Sequence, residues 1–195
     1  RARADSVARV KNSAASITPG SPCVRAACAR AAAIQVISDD VARRLVDGFG
    51  VSRGRLFRPH LPLQQIEAAD GGASGEPAAS GRYFLYPANT WPHKNHVRLL
   101  DAFRVFLDQA SPQADCWTLV LTGSGPDPFG ILDADVARLG LEDRVLRVGY
   151  LDRSDYLATM REAGALVYPS LNEGFGIPIL EAQWAGVPIA CSQIG

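Results

Sequence analysis

The second half of the chain alternates between short apolar runs and amphipathic segments, and this alternation restricts its fold more than any other feature. Apolar runs at 82–87, 117–122, 144–148, 165–169 and 187–191 predict strands. The segments between them have helical periodicity; in 95–110, Val97, Leu100, Phe103 and Leu107 are predicted to share one face. Strands joined by helices on short connections form a parallel sheet with helices on both faces. The sequence therefore predicts an α/β fold.

The rest of the chain divides at a segment of small residues. Residues 64–81 are rich in glycine, alanine and serine and predict a flexible linker. Residues 1–63 contain a short strand at 34–37 and a helix capped by Ser38, and they resemble the tail of a second domain. Because residues 82–195 end directly after a strand, we expect a fragment that is incomplete at both ends.

Composition excludes several classes of partner. The formal net charge is zero and no basic face stands out after residue 60, which argues against nucleic acid. The four cysteines form no CxxC pair, and His93 and His96 have no nearby acidic or cysteine partner, so no metal is expected. No apolar run reaches the ~18 residues that span a bilayer. A cytoplasmic protein is predicted, and peripheral contact with the inner face of the membrane is compatible with it.

The segment 168–190 contains two carboxylates that flank a glycine turn. Glu173 and Glu181 are separated by seven residues. Gly174 and Gly176 allow the backbone to approach a ligand, and Pro178 suits the first turn of a helix, whose N-terminus favours phosphate. Two carboxylates on either side of a phosphate site can accept hydrogen bonds from hydroxyls of one extended ligand. The alternative is that both glutamates are solvated surface residues.

Two other loops follow predicted strands of the same sheet. In 86–96, Asn95 is predicted to cap a helix and Lys94 to lie at its N-terminus, where a lysine adds charge to an anion site. Only Lys11 and Lys94 are lysines in this arginine-rich chain. In 122–126, Gly123 belongs to a GxG turn and is predicted to line a ligand. A surface lysine and a plain turn are the alternatives.

Together, these motifs carry a resemblance. Residues 172–195 resemble the Glu-x7-Glu signature of retaining, nucleotide-sugar-dependent glycosyltransferases of the GT-B fold, in particular the group 1 family of bacterial glycosyl- and mannosyltransferases that build surface polysaccharides. Segments 86–103, 119–126 and 144–170 follow that family's order and spacing, and 34–62 resembles its interdomain crossover. The resemblance covers about 33–195. It implies a Rossmann-like donor-binding domain at 82–195 and the tail of an acceptor-side domain at 1–63.

The resemblance also implies residue roles. Glu173 would be the catalytic residue that contacts hydroxyls of the transferred sugar, and Glu181 would bind the ribose. Lys94 would bind the diphosphate and stabilise the leaving group, and the backbone near Leu151 would border the base. The other predicted donor-binding residues are Asn89, Gly123, Gly174, Phe175, Gly176 and Ile177.

One position departs from the pattern of some relatives. These have an arginine six residues before the lysine, where this chain has Ala88. Diphosphate binding would then depend on Lys94 and backbone amides, with help from Asn89 or His93.

The resemblance implies no cofactor and no metal. The sugar donor is expected to be GDP-mannose, which is slightly favoured, or a UDP-sugar. A glycan or lipid-linked acceptor would bind a domain upstream of Arg1, so the fragment alone is expected to be inactive. Two other functions remain open: a non-catalytic nucleotide-sugar-binding module, and a glycosidase with paired carboxylates. The second is disfavoured because both carboxylates lie on one turn and helix.

Overall fold

The computed structural model of the protein describes residues 7–9, 22–59, 75–109, 116–124 and 131–193. Contacts between residues divide the chain into two compact units. The first contains 1–62, 172–176 and 194–195, and the second contains 63–171 and 177–193. Each unit has its own cluster of buried apolar side chains.

The first unit contains a parallel three-stranded sheet. Its elements are β1 (Val7–Arg9), α1 (Pro22–Arg30), β2 (Ala33–Gln35), α2 (Asp39–Phe49) and β3 (Leu56–Phe57). The strand order is β1-β2-β3. The Ser38 hydroxyl accepts a hydrogen bond from the Val41 N–H at 3.2 Å, which confirms the predicted cap of α2. Strand β1 was not expected from the sequence, because a three-residue strand is defined by its pairing with β2 rather than by its own pattern.

The second unit contains a parallel five-stranded sheet. Its strands are β4 (Arg82–Pro87), β5 (Trp117–Thr122), β6 (Val145–Gly149), β7 (Ala165–Tyr168) and β8 (Ile189–Cys191), and its helices are α3 (His96–Gln109), α4 (Ile131–Arg138), α5 (Arg153–Glu162) and α6 (Ile177–Trp184). The strand order is β6-β5-β4-β7-β8, with every pair parallel. The predicted parallel α/β sheet is confirmed.

The order of strands places a topological switch between β4 and β7. From β4 the chain builds outward to β5 and β6, and it then returns to the other side of β4 for β7 and β8. In open parallel sheets of this kind, ligands bind outside the carboxyl ends of the strands at such a reversal. The loops that follow β4 and β7 are therefore the first places to search for a site.

Two details of the predicted helices were wrong. Val97 is 43% exposed, while the inward face of α3 is formed by Leu99, Leu100, Phe103 and Leu107. The sequence also predicts that Ser154 caps a helix that runs to about Ala163. The cap of α5 is instead Asp152, whose carboxylate accepts the Asp155 N–H at 2.9 Å. The Ser154 hydroxyl instead donates to the same Asp152 oxygen at 2.7 Å. A carboxylate one position before the helix is the stronger acceptor of the two.

The last part of the predicted linker is bound to a helix. The backbone N–H of Glu76 donates to the Asp155 carboxylate, and that of Ala78 donates to the Thr159 hydroxyl, each at 3.0 Å. Residues 75–80 are thus hydrogen-bonded to α5, whereas the sequence predicted a flexible linker there. Residues 64–74 lie outside the described part of the chain.

Candidate functional site

A cavity of about 390 Å³ lies in the second unit beyond the carboxyl ends of β4, β5 and β6. It brings together five residues that the sequence predicts to bind a ligand: Asn89, Gly123, Leu151, Ile177 and Glu181. The other lining residues are Pro87, Ala88, Thr122, Ser124, Tyr150, Asp152, Arg153, Tyr156 and Pro178. The cavity is therefore formed by three strand ends, the start of α5 and the start of α6.

Hydrogen bonds hold the strand ends that form the floor of this cavity. The Ala88 N–H donates to the Thr122 carbonyl at 2.9 Å, and the Gly123 N–H donates to the Gly149 carbonyl at 2.7 Å. The Asn89 side-chain oxygen accepts the Ser124 N–H at 2.9 Å. Asn89 thus fixes the turn after β5, and its role in diphosphate binding stays a prediction.

Gly123 is required by this arrangement. Its φ is 133°, a conformation that L side chains rarely adopt, and a Cβ there would lie 2.7 Å from the carbonyl carbon and oxygen of Ala88. The glycine therefore lets the turn after β5 approach the backbone after β4.

Glu181 is buried and lines the cavity, where each of its carboxylate oxygens accepts one hydrogen bond. It is 6% exposed, so it is not the solvated helix residue of the alternative interpretation. Its Oε1 accepts a hydrogen bond from Arg153 Nη1 at 2.5 Å, and its Oε2 accepts one from the Tyr156 hydroxyl at 2.6 Å. The two partners come from the first two turns of α5, so they join α5 to α6.

The phenol of Tyr156 stays protonated in this environment. Burial raises the pKa of Tyr156 well above its ordinary value, and the charge of Glu181 and the hydrogen bond to it raise it further. The guanidinium carbon of Arg153 lies 5.5 Å from the centre of the Tyr156 ring. Arg153, Tyr156 and Glu181 thus form one connected cluster, in which the carboxylate is charged and both neighbours donate to it.

Lys94 lies at the switch point rather than in the cavity lining. It is the last residue of a 3₁₀ turn at Pro92–Lys94, between β4 and α3. Its Nζ lies 3.4 Å from the Tyr168 hydroxyl and 5.4 Å from the centre of that ring. Tyr168 is the last residue of β7, so the ammonium group lies beside the ends of the two strands that border the reversal.

Three hydrogen bonds hold the loops of the switch point: one joins β4 to the loop that follows it, and two join that loop to the one after β7. The Tyr86 hydroxyl donates to the Lys94 carbonyl at 2.6 Å, and the Leu171 N–H donates to the His93 carbonyl at 2.7 Å. The Asn95 amide nitrogen donates to the Pro169 carbonyl at 3.0 Å, and Asn95 itself is in the left-handed conformation with φ of 61°. The Asn95 side chain therefore links its loop to the residue after β7. The sequence predicted only a helix cap for Asn95 and not this contact.

The glycine turn of the Glu-x7-Glu segment belongs, by its contacts, to the first unit. Glu173 and Gly174 are half-buried, Phe175 is 39% exposed, and Gly176 is buried with φ of 74°. A glycine at 176 is needed because few other residues adopt that φ. Helix α6 begins directly after it, with Pro178 in the first turn as predicted. The roles predicted for Glu173, Gly174, Phe175 and Gly176 stay predictions.

Sequence reasoning missed two residues of the cluster, Arg153 and Tyr156. Leu151 was selected from the resemblance to the family, and Arg153 and Tyr156, which lie two and five residues beyond it, were not. The pairing itself could not be read from the sequence, because Arg153 and Tyr156 are 28 and 25 residues from Glu181. Among the described residues, no three histidine, cysteine, aspartate or glutamate side chains are grouped so that they could hold a metal ion.

The fold and the site define a parallel α/β domain with a cavity beyond the carboxyl ends of β4, β5 and β6. Residues 74–195 match the model of the family "Glycosyl transferases group 1". The match covers more than half of the chain, and the chain belongs to this family.

Curated relatives are consistent with this assignment. The chain is 32% identical over 112 residues to the O-antigen chain mannosyltransferase RfbU of Salmonella typhimurium. This alignment covers 57% of this chain and 30% of the relative. It is 29% identical over 178 residues to the D-inositol 3-phosphate glycosyltransferase of Streptomyces avermitilis, covering 85% of this chain and 38% of the relative. The chain thus spans less than two fifths of the length of these relatives.

Solved structures share the fold. HepE of Anabaena, in complex with UDP and glucose, superposes with a TM-score of 0.70 at 20% identity, over 97% of this chain and 53% of that chain. The UDP-forming trehalose-phosphate synthase of Burkholderia xenovorans superposes with a TM-score of 0.65 at 15% identity, over 87% of this chain and 48% of that chain.

In the described part of the chain, no helix is long and apolar enough to cross a membrane.

Proposed function

We propose that this chain contains the sugar-donor-binding domain of a glycosyltransferase that uses a nucleoside diphosphate sugar. The observation that carries the proposal is the buried, charge-paired Glu181 at the back of a cavity beyond the strand ends. Arg153 and Tyr156 offset the cost of burying this carboxylate. Its position in the lining of a cavity makes it a candidate ligand-binding group. Ribose hydroxyls are suitable ligands, because a carboxylate accepts hydrogen bonds and offers about four lone-pair sites.

The diphosphate would bind near Lys94 and the start of α6. Lys94 supplies a full positive charge beside the ends of β4 and β7. The first N–H groups of α6 and its dipole favour a negative charge at Ile177 and Pro178. These groups neutralise the charge that develops on the departing nucleoside diphosphate, which is the role a metal ion has in other transferases. We therefore expect no metal requirement.

In this proposal Glu173 and the glycine turn bind the transferred sugar, and Leu151 borders the base. The transfer retains the configuration of the sugar. The donor is GDP-mannose or a UDP-sugar; the similarity to an O-antigen mannosyltransferase supports the first, and the UDP complexes of structures with the same fold support the second. The acceptor is a glycan or a lipid-linked glycan in surface polysaccharide synthesis, and the site of action is the cytoplasm or the inner face of the membrane.

Isothermal titration calorimetry tests the proposal. The protein is titrated with GDP, UDP, GDP-mannose and UDP-glucose, in the presence of EDTA. We expect saturable binding of at least one nucleoside diphosphate and of its sugar conjugate without added metal. Failure to bind any of the four, or binding that depends on a divalent ion, contradicts the proposal. Hydrolysis of a simple glycoside without a nucleotide would favour a glycosidase instead.

A further inference from the structure

Arg153 occupies a position that does not favour an arginine for helix stability. It is the first residue of α5, where the positive end of the helix dipole disfavours a cation. Asp152, the cap, and Asp155 are the acidic residues of this first turn. The guanidinium forms an ion pair with Glu181, which lies on a different helix, at 2.5 Å. The arginine is thus directed at the carboxylate of the cavity.

The two partners of Glu181 determine its orientation. Arg153 donates to Oε1 and Tyr156 donates to Oε2, so each oxygen has one fixed donor and the carboxylate cannot rotate without losing both bonds. One acceptor position on each oxygen is left over from these two bonds. Two adjacent acceptor positions match the two neighbouring hydroxyls of a ribose.

The cation is also held in place. The Arg153 guanidinium lies over the Tyr156 ring, and its side chain is 47% exposed at the cavity wall, whereas the Glu181 side chain is 6% exposed. A buried carboxylate is disfavoured as an ion unless a charge of opposite sign lies beside it. Arg153 provides that charge, and Tyr156 stays protonated and acts only as a hydrogen-bond donor.

We propose that Arg153 is a positioning residue for ribose recognition: with Tyr156 it orients Glu181 as a charged, two-pronged acceptor for the 2′- and 3′-hydroxyls of the nucleotide. This inference rests on the proposed function. In this proposal, the residues at the start of α5 allow the site to distinguish ribonucleotides from nucleotides that lack these hydroxyls. Removal of the cation should therefore weaken binding through the ribose, and not through the diphosphate or the base.

Calorimetry with paired nucleotides tests this role. Whichever of GDP and UDP binds more tightly is compared with its 2′,3′-dideoxy counterpart. Hydrogen bonds to a charged group contribute enough for the wild-type protein to prefer the ribonucleotide by about tenfold or more. In Arg153→Met we expect this preference to fall to about twofold or less, because the ribonucleotide loses affinity and the dideoxy nucleotide does not. Arg153→Lys should restore part of the preference.

The control is Arg161→Met, which removes an exposed arginine from the last turn of the same helix and should keep the wild-type preference. Circular dichroism verifies that each variant is folded. Should Arg153→Met unfold, Tyr156→Phe removes the second donor and should also lower the preference.

Two results would overturn the inference while the proposed function stands. One is an unchanged preference in Arg153→Met and Tyr156→Phe. The other is an equal loss of affinity for both nucleotides, which indicates a purely structural role for the cluster. If the wild-type protein binds neither nucleotide, the proposed function fails, and this inference fails with it.

Discussion

The ammonium group of Lys94 is a positive charge at the switch point of the sheet, where we propose that it contacts the diphosphate. It lies beside Tyr168, and hydrogen bonds from Tyr86 and Asn95 hold its loop. We predict that Lys94→Met lowers the affinity for a nucleoside diphosphate by about tenfold or more, because a charge-assisted contact is lost. The affinity for the corresponding nucleoside should change little. Calorimetry with both ligands measures the difference.

Arg104→Met is the matched control for this prediction. Arg104 is a cation on α3 that pairs with Asp108 four residues later, away from the cavity lining. It should keep the wild-type affinity for both ligands. An equal loss of nucleoside and nucleoside diphosphate affinity in Lys94→Met would show that the lysine supports the loop rather than the diphosphate.

A comparison of alanine substitutions at Gly123 and Gly140 distinguishes the cost of backbone strain from the cost of a steric clash. Both have positive φ, 133° and 62°, but a Cβ would meet the Ala88 backbone only at Gly123 and would meet nothing within 4 Å at Gly140. We predict that Gly123→Ala lowers the free energy of unfolding by about 3 kcal/mol and Gly140→Ala by about 1 kcal/mol. Urea denaturation measures both. Similar values for the two variants would contradict the steric argument.

Helix α5 is the element that connects the core to the cavity. On its inner side Thr159 accepts a hydrogen bond from the fully buried Tyr83 at 2.7 Å, and at its start it presents Arg153 and Tyr156 to Glu181. The backbone N–H groups of residues 76 and 78 donate to Asp155 and Thr159 of the same helix. The orientation of the cluster of Arg153, Tyr156 and Glu181 therefore depends on the packing of α5.

The packing of α5 should depend on alkaline pH through Tyr83. Burial raises the pKa of Tyr83 to about 12 from an ordinary value of 10.0, and the charge of Glu162 adds to the effect. Because the folded-state pKa is the higher one, the stability that the neutral phenol contributes is fully present below pH 10.0 and is lost as the pH rises towards about 12.

We therefore predict that Tyr83→Phe is less stable than the wild-type protein near neutral pH, and that the difference shrinks as the pH rises above 10.0. Urea denaturation of both proteins at about pH 8 and about pH 11 measures it, and absorbance of the phenolate follows the titration. If the two proteins differ in stability by the same amount at both pH values, the ionisation of Tyr83 does not affect stability and the prediction is wrong.

At the scale of the whole molecule, the cavity lies within one of the two compact units. We predict that a saturating nucleoside diphosphate slows hydrogen exchange in peptides covering 86–96, 122–124, 149–156 and 177–184. Peptides covering α2 should exchange at the unliganded rate. Hydrogen exchange with mass-spectrometric detection measures both sets of peptides. A bound ligand slows exchange at amides that can exchange only after the ligand has dissociated or the local structure has opened. Protection concentrated in α2 would place the nucleotide elsewhere.

Some of the site could be predicted from the sequence. The bounds of β4 and β5 match the apolar runs at 82–87 and 117–122, because a strand buried on both faces is a continuous apolar run between turn residues. Since ligands bind beyond the carboxyl ends of parallel strands, the turn at Gly123 was expected to line a ligand. Asn89 and Leu151 were expected only from the resemblance to the family, and all three residues line one cavity.

Other features required the three-dimensional structure. Val97 was assigned to the buried face of α3, but the packing of that helix buries Leu99 and leaves Val97 exposed. Asp152 and Ser154 are both suitable caps, and the point at which α5 begins decides between them. Residues 75–80 lack large apolar side chains, yet their backbone groups find partners on α5.

The sequence by itself determined the class of fold and the family, because strand and helix periodicity and the Glu-x7-Glu spacing are local patterns. It also indicated that Glu181 is a ligand-binding residue. Only the tertiary structure decided what surrounds that carboxylate. Arg153 and Tyr156 meet Glu181 through the packing of α5 beside α6, and such packing depends on side-chain shapes along both helices and not on any short pattern.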